Sequence, residues 1–175
     1  MMIILGIDPG LNTTGYGVIE AKERAMKLIE GGAIHSGPTE DGLQMRLSRL
    51  YDGIMELLNQ FHPQSLALEQ LYAHYEHPTT AILMGHARGV ICLAAAKKDV
   101  PVFDYAATQI KSLLAGNGRA SKDQMQRAIQ GILNLNKIPQ PHDVADALAV
   151  AICHHWMVTS PVMAAMGGSQ RVGHQ

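Results

Sequence analysis

The sequence predicts an α/β domain built on a mixed five-stranded sheet with helices on its faces. MIILGID, residues 2–8, is a continuous apolar run, as expected of a strand buried on both faces. TGYGVIEA and AMKLIEGGAIHSG follow as two further strand-like runs with a turn near residues 21–24. After that, segments of helical period alternate with short apolar runs. A three-strand meander followed by two crossover connections produces such a sheet.

The remaining elements follow in order. Residues 42–60 place Leu43, Leu47, Leu50, Ile54 and Leu57 at helical spacing. SLALEQ, 65–70, reads as a short buried strand. Residues 78–99 form a long apolar helix with Pro78 near its start. PVFDYA is a strand, and residues 107–115 are helical up to the stop at Gly116. SKDQ, 121–124, has the Ser-x-x-Gln form of a capping box, so a helix starts at Ser121. Residues 142–157 make the last helix. From there the chain loses its period and becomes rich in Gly, Ser and Met. One domain is therefore expected over residues 1–157, with a flexible tail over 158–175.

Composition narrows the function classes. A chain of 175 residues, 47% hydrophobic and 17% charged, suits one ordinary soluble domain with a full core. No stretch is read as reaching the ~18 apolar residues of a membrane span. MMIILGID is too short, and lacks the basic flank, for a signal peptide. Cys92 and Cys153 lie far apart in apolar helical context, as reduced core residues of a cytoplasmic protein do. The net charge of −1 hides an uneven distribution. Residues 1–60 carry five Lys/Arg against eight Asp/Glu. Residues 101–137 carry Lys111, Arg119, Lys122, Arg127 and Lys137 against Asp104 and Asp123. Such a basic segment can meet phosphates, or it is a solvated helix face.

The chemistry lies in the acids. The first strand and the SLALEQ strand can lie side by side, ending in Asp8 and Glu69 at the same edge of the sheet. One acid at a strand end is ordinarily a turn or cap residue. Two on neighbouring strands are harder to place that way. In HDVADALAVAICHH, Asp143 and Asp146 are three apart and share a helix face, and His142 shares it with Asp146. Acids in so apolar a helix are costly unless paired, exposed or neutralised by a cation. Asp143 could serve only the helix dipole; Asp146, one turn in, fits that role less well. Four converging carboxylates suit hard divalent cations, Mg²⁺ or Mn²⁺, rather than zinc. Two such ions about 3.5–4 Å apart form the clamp used for in-line phosphoryl transfer.

MIILGIDPG…TGYGVI, LALEQLY, GHARGV, PVFDYAATQIK, GNGRASKDQM and PHDVADALAVAICH, taken together, resemble the bacterial Holliday-junction resolvase family, RuvC. The resemblance runs in order across roughly residues 1–157. It implies an RNase H-like fold, a homodimer, and Mg²⁺-dependent cutting of four-way DNA junctions by paired symmetric nicks. It maps the acidic set onto Asp8, Glu69, Asp143 and Asp146. Some members have histidine at the position of Asp143. His142 is then a cap or packing residue, or an accessory ligand or proton shuttle. Tyr72 matches an aromatic that stacks on bases near the junction centre, an interaction worth about 1–3 kcal/mol. Lys111 and Lys122 match basic residues near the DNA and the site. Lys122 also sits in the first turn of a capped helix, where free N–H groups favour an anion. Arg119 belongs to the Gly116-Asn117-Gly118-Arg119 loop before it, which would let a phosphate backbone approach closely, or is simply a helix stop followed by a loop. AHYEHPTT, after Tyr72, lacks the lysines of more basic relatives. The resemblance also implies work with the RuvA–RuvB branch-migration machinery.

Two other classes compete. Asp-x-Gly before a second strand is also the phosphate loop of actin-like ATPases and sugar kinases, but those need two such domains closing over ATP. A junction-binding protein without activity is expected to have lost one or more of the acids, and all four are present.

Overall fold

A computed structural model of the chain describes residues 1–23, 25–71, 78–160 and 170–171, with only the backbone of Pro78, Gln170 and Arg171. The elements run β1 (Met2–Asp8), β2 (Thr13–Lys22), β3 (Ala25–His35), α1 (Gly42–Phe61), β4 (Ser65–Glu69), α2 (Pro78–Ala96), β5 (Val102–Tyr105), α3 (Ala107–Ala115), α4 (Lys122–Ile132), α5 (His142–Thr159) and β6 (Gln170–Arg171). The sheet order is β3-β2-β1-β4-β5-β6. β1, β2 and β3 form the antiparallel meander, and β4 and β5 add in parallel. This is the mixed five-stranded sheet expected from the sequence, extended by a two-residue strand. β6 pairs antiparallel to β5, with Phe103 opposite Arg171 and Asp104 opposite Gln170. That pairing lies in the segment expected to be a flexible tail; residues 161–169 and 172–175 lie outside the described residues.

The period-two alternation of the strands separates two cores. Leu5, Ile7, Leu66 and Leu68 pack on the layer holding α1 and α2. Ile4 and Ala67 face the layer holding α3, α4 and α5. Asp8 and Glu69 follow Ile4 and Ala67 in parity, so the alternation carries both acids to the α5 side.

α5 lies almost on the backbone of β1 and β2. A Cβ on Gly6 would stand 2.1 Å from the Ala147 carbonyl oxygen, and one on Gly15 the same distance from that of Asp143. The alanines of α5 and the glycines of the strands are therefore one feature, a close helix–sheet contact. Gln126 Nε2 donates to the Pro139 carbonyl at 3.1 Å and ties the loop before α5 to α4. At the other end of α5, the Tyr105 hydroxyl and His154 Nδ1 are 2.6 Å apart in the core. Burial first, and His155 beside it, lower the His154 pKa to about 4, so the ring is a neutral core group near neutral pH. His155 Nε2 meets the Glu23 carbonyl at 2.8 Å.

α2 corrects one expectation. Thr79–Ala96 is long and apolar enough to cross a membrane by length and composition, with mean hydropathy 1.4 over 18 residues. Its apolarity has another cause here. Ala87, Ile91, Ala94 and Ala95 are buried in the α1–α2 core, while Ile82 and Leu93 are 62% and 52% exposed on the outer side. An outward apolar face added to an inward one gives a helix apolar nearly all round.

Candidate active site

β1 and β4 pair in parallel with Ile7 opposite Leu68, so Asp8 and Glu69 end neighbouring strands at one edge. Across the antiparallel pair, Asp8 is opposite Gly15. The missing side chain at Gly15 is the space the Asp143 backbone occupies. The first turn of α5 is thereby laid over the residue paired with Asp8, and Asp146 follows one turn later.

The electrostatics place the four acids in one another's field. Burial, then the charges of Asp146, Glu69 and Asp143, raise the Asp8 carboxyl from 3.8 to about 7, against the lowering effect of Lys122. Burial and Asp146 raise Glu69, with Lys111 opposing. Burial also raises Asp146; Lys122 is the largest counter-effect, Asp143 adds to the rise, and His142 and Lys111 reduce it. Three elements distant in sequence thus supply carboxylates that resist ionising together.

Lys122 and Lys111 act on this group from α4 and α3. Ser121 caps α4 with a complete capping box: its hydroxyl accepts from Gln124 N–H at 3.2 Å, and Gln124 Oε1 accepts from Ser121 N–H at 2.8 Å. That cap fixes the helix start bearing Lys122. Among the described residues the ion pairs are Arg49–Asp41 and Arg88–Asp104, so both lysines stand back from direct contact with the acids. Arg119 is exposed, its N–H bonded to Asn117 Oδ1 at 2.9 Å, and it is not among the charges acting on the acids. His142 is exposed and is the first residue of α5, whose N-cap, Pro141, makes no side-chain cap bond. Tyr72 lies outside the described residues.

Sequence reasoning missed Arg88. Its Nη1 donates to the Glu69 carbonyl at 3.2 Å, while Nη2 pairs with Asp104 on β5. The guanidinium bridges the ends of β4 and β5 and steadies the strand end that carries Glu69. One cation in an otherwise apolar helix was its signal in the sequence.

Among the described residues, no three His, Cys, Asp or Glu side chains are already closed into a metal-holding group. The donor chemistry nevertheless fits a hard cation: four carboxylates, part-buried, mutually repelling and without directly paired cations, at the edge of a sheet.

The family model described as "Crossover junction endodeoxyribonuclease RuvC" matches residues 4–154. The chain belongs to the RuvC family. Two curated members illustrate the likeness. The RuvC of Rhodopirellula baltica is 50% identical over 159 residues, 91% of this chain and 89% of that protein. The RuvC of Legionella pneumophila subsp. pneumophila is 46% identical over 158 residues, 90% and 88% of the two chains. Among solved structures, T. thermophilus RuvC in complex with Holliday junction substrate matches with TM-score 0.85 and 32% identity, covering 98% of this chain and all of that one. The yeast mitochondrial resolvase Ydc2 matches at TM-score 0.60 and 12% identity, a likeness of fold alone. Membership of RuvC makes the RNase H-like reading of this sheet the right one, and makes the chain a crossover junction endodeoxyribonuclease.

Proposed function

We propose that this chain resolves four-way DNA junctions as a homodimer. Two Mg²⁺ ions held by Asp8, Glu69, Asp143 and Asp146 would serve each site, leaving 5′-phosphate and 3′-hydroxyl ends. The observation that carries the reading is the mutual coupling of four carboxylates from β1, β4 and α5 at one sheet edge. When bound, the cations supply positive charge at the scissile phosphate and ease ionisation of the attacking water.

The chain's own groups do the rest. Asp8, at the centre of the edge and acted on by all three other acids, would be a principal holder of the cations. Glu69 on one side and the α5 acids on the other complete the set. Lys122, at the N-terminal end of a capped helix, offsets the negative charge of the phosphate backbone as it approaches the acids. Lys111 does so on the Glu69 side. The His142 charge acts on Asp146, which supports an accessory role for it.

The dimer reading rests on α2. Ile82, His86, Gly89 and Leu93 form an exposed stripe at three- and four-residue spacing. A Cβ at Gly85 or Gly89 would meet nothing within 4 Å, so a second helix can approach closely there. A two-fold pair of chains sets two identical sites against opposing strands of a junction.

The direct test is a synthetic four-way junction labelled on each strand. Paired, symmetric, ligatable nicks are expected with Mg²⁺ and none with EDTA; binding without cutting across several metals and junction sequences would overturn the reading. Lys122→Ala is expected to weaken junction binding and to reduce the slope of log affinity against log salt by about 0.9, the value for one phosphate contact. An unchanged slope would return Lys122 to the solvated face of α4.

A further inference from the structure

Arg46 of α1 is only 6% exposed. Its Nη2 donates to the Asn12 side-chain oxygen. Its Nε is buried without an acceptor, and among the described residues no carboxylate pairs with the guanidinium. Burying a cation without a counter-charge is expensive, and the fold retains one here. Arg49, three residues on, shows the ordinary arrangement: it pairs with Asp41 and donates to the Ser36 carbonyl at 3.1 Å.

Asn12 belongs to the turn that leads from Asp8 into β2. That turn is braced on both sides. The Thr14 hydroxyl accepts from Gly10 N–H at 3.3 Å and donates to the Gly10 carbonyl at 2.6 Å. Ser36 N–H donates to the Asn12 carbonyl at 3.1 Å, and the Ser36 hydroxyl beside it is buried with no partner. A guanidinium has donors only. The Asn12 oxygen must therefore face Arg46, and its NH₂ group must face away. Asn12 is exposed, so the turn offers two N–H donors outward with a buried cation behind them. This is the arrangement for an acceptor-only anionic group, four residues beyond Asp8.

We propose that Arg46 and Asn12 form a subsite for one phosphate of the DNA strand that crosses the β1–β2 turn. The proposal rests on the nuclease reading above. Asn12 touches the phosphate, and Arg46 is a positioning residue that fixes the amide and places positive charge behind it. The subsite is separate from Lys111 and Lys122. Those act from the α3–α4 layer, whereas α1 lies in the opposite layer of the sheet. A strand crossing the edge is then held on both sides of the acids.

The test uses a junction in which single phosphates near the cleavage point are replaced, one at a time, by uncharged methylphosphonates. Binding is read by fluorescence anisotropy, which does not require cutting. At one position, the replacement is expected to weaken binding by the parent protein about 10-fold, the scale of a hydrogen bond to a charged group. The same replacement should cost Asn12→Ala almost nothing further, because the contact is already gone. Arg46→Gln, whose amide can accept as well as donate, should behave as Asn12→Ala does at that position and no other. If Arg46→Gln does not fold, Asn12→Ala on the exposed turn carries the test alone. Equal penalties for parent and Asn12→Ala at every phosphate would overturn the subsite. Cutting of the unmodified junction in Mg²⁺ is measured alongside. A parent that binds but never cuts overturns the nuclease reading and leaves the phosphate comparison intact.

Discussion

Asp8→Asn is expected to lower junction cutting by ~10³-fold or more while junction binding is kept or tightened. The substitution removes one negative charge from the crowded sheet edge and leaves the shape of the side chain. The same change should stabilise the metal-free protein. Asp8 is raised from 3.8 to about 7 in the folded chain, by burial first and then by Asp146, Glu69 and Asp143. Between those pH values the folded chain holds a proton that the unfolded chain has released. Stability without metal therefore falls as pH rises through this window, and stays reduced above it. The full difference amounts to about 4 kcal/mol at roughly 1.36 kcal/mol per pH unit. In EDTA at pH 8, Asp8→Asn should melt above the parent, and at pH 4 the two should nearly coincide. Mg²⁺ should raise the parent's midpoint far more than that of the variant. A variant that cuts at the parental rate, or melts below the parent at pH 8 without metal, would remove Asp8 from the centre of the site.

Gly15→Ala is expected to impair the site by a purely steric route. The added Cβ would stand 2.1 Å from the Asp143 carbonyl oxygen, 2.4 Å from its carbon and 2.8 Å from its Cβ. All three atoms belong to a residue that bears one of the four acids. α5 must lift from β2, and Asp143 moves with it. Overpacking of this kind costs about 1–3 kcal/mol, and the cutting rate should fall much further than stability implies. Gly131→Ala is the matched control, because nothing lies within 4 Å of its added Cβ. Melting curves beside single-turnover cutting rates separate the two effects. Gly15→Ala with parental cutting would mean that the first turn of α5 need not touch β2 for the acids to work.

The site was legible where one element alone shows that a residue is out of place. Asp8 and Glu69 end apolar strands, and parity carries both to the α5 face. Asp146 interrupts a helix that is otherwise apolar. The capping box at Ser121 was equally local, and it fixed where Lys122 stands. What the sequence concealed depends on partners chosen only by tertiary packing. Arg88 reaches Asp104 and the Glu69 carbonyl across two strands. Arg46 reaches Asn12 over 34 residues, and Tyr105 reaches His154 over 49. No periodicity announces such pairs. α2 was seen as a long apolar helix, yet the length of its hydropathic run was underestimated. β6 was missed because two residues carry no pattern.

The position of α5 in the chain has a temporal consequence. Two of the four acids lie on α5, the last helix among the described residues, and the strand edge beside them is made from residues synthesised well before it. A nascent chain that has formed its meander and both crossovers still presents only Asp8 and Glu69, with open glycines where α5 will rest. If the four acids act together as proposed, the site is completed only when the alanine-rich helix seats. A chain that stops before His142 lacks Asp143 and Asp146 and is expected to leave a synthetic junction uncut.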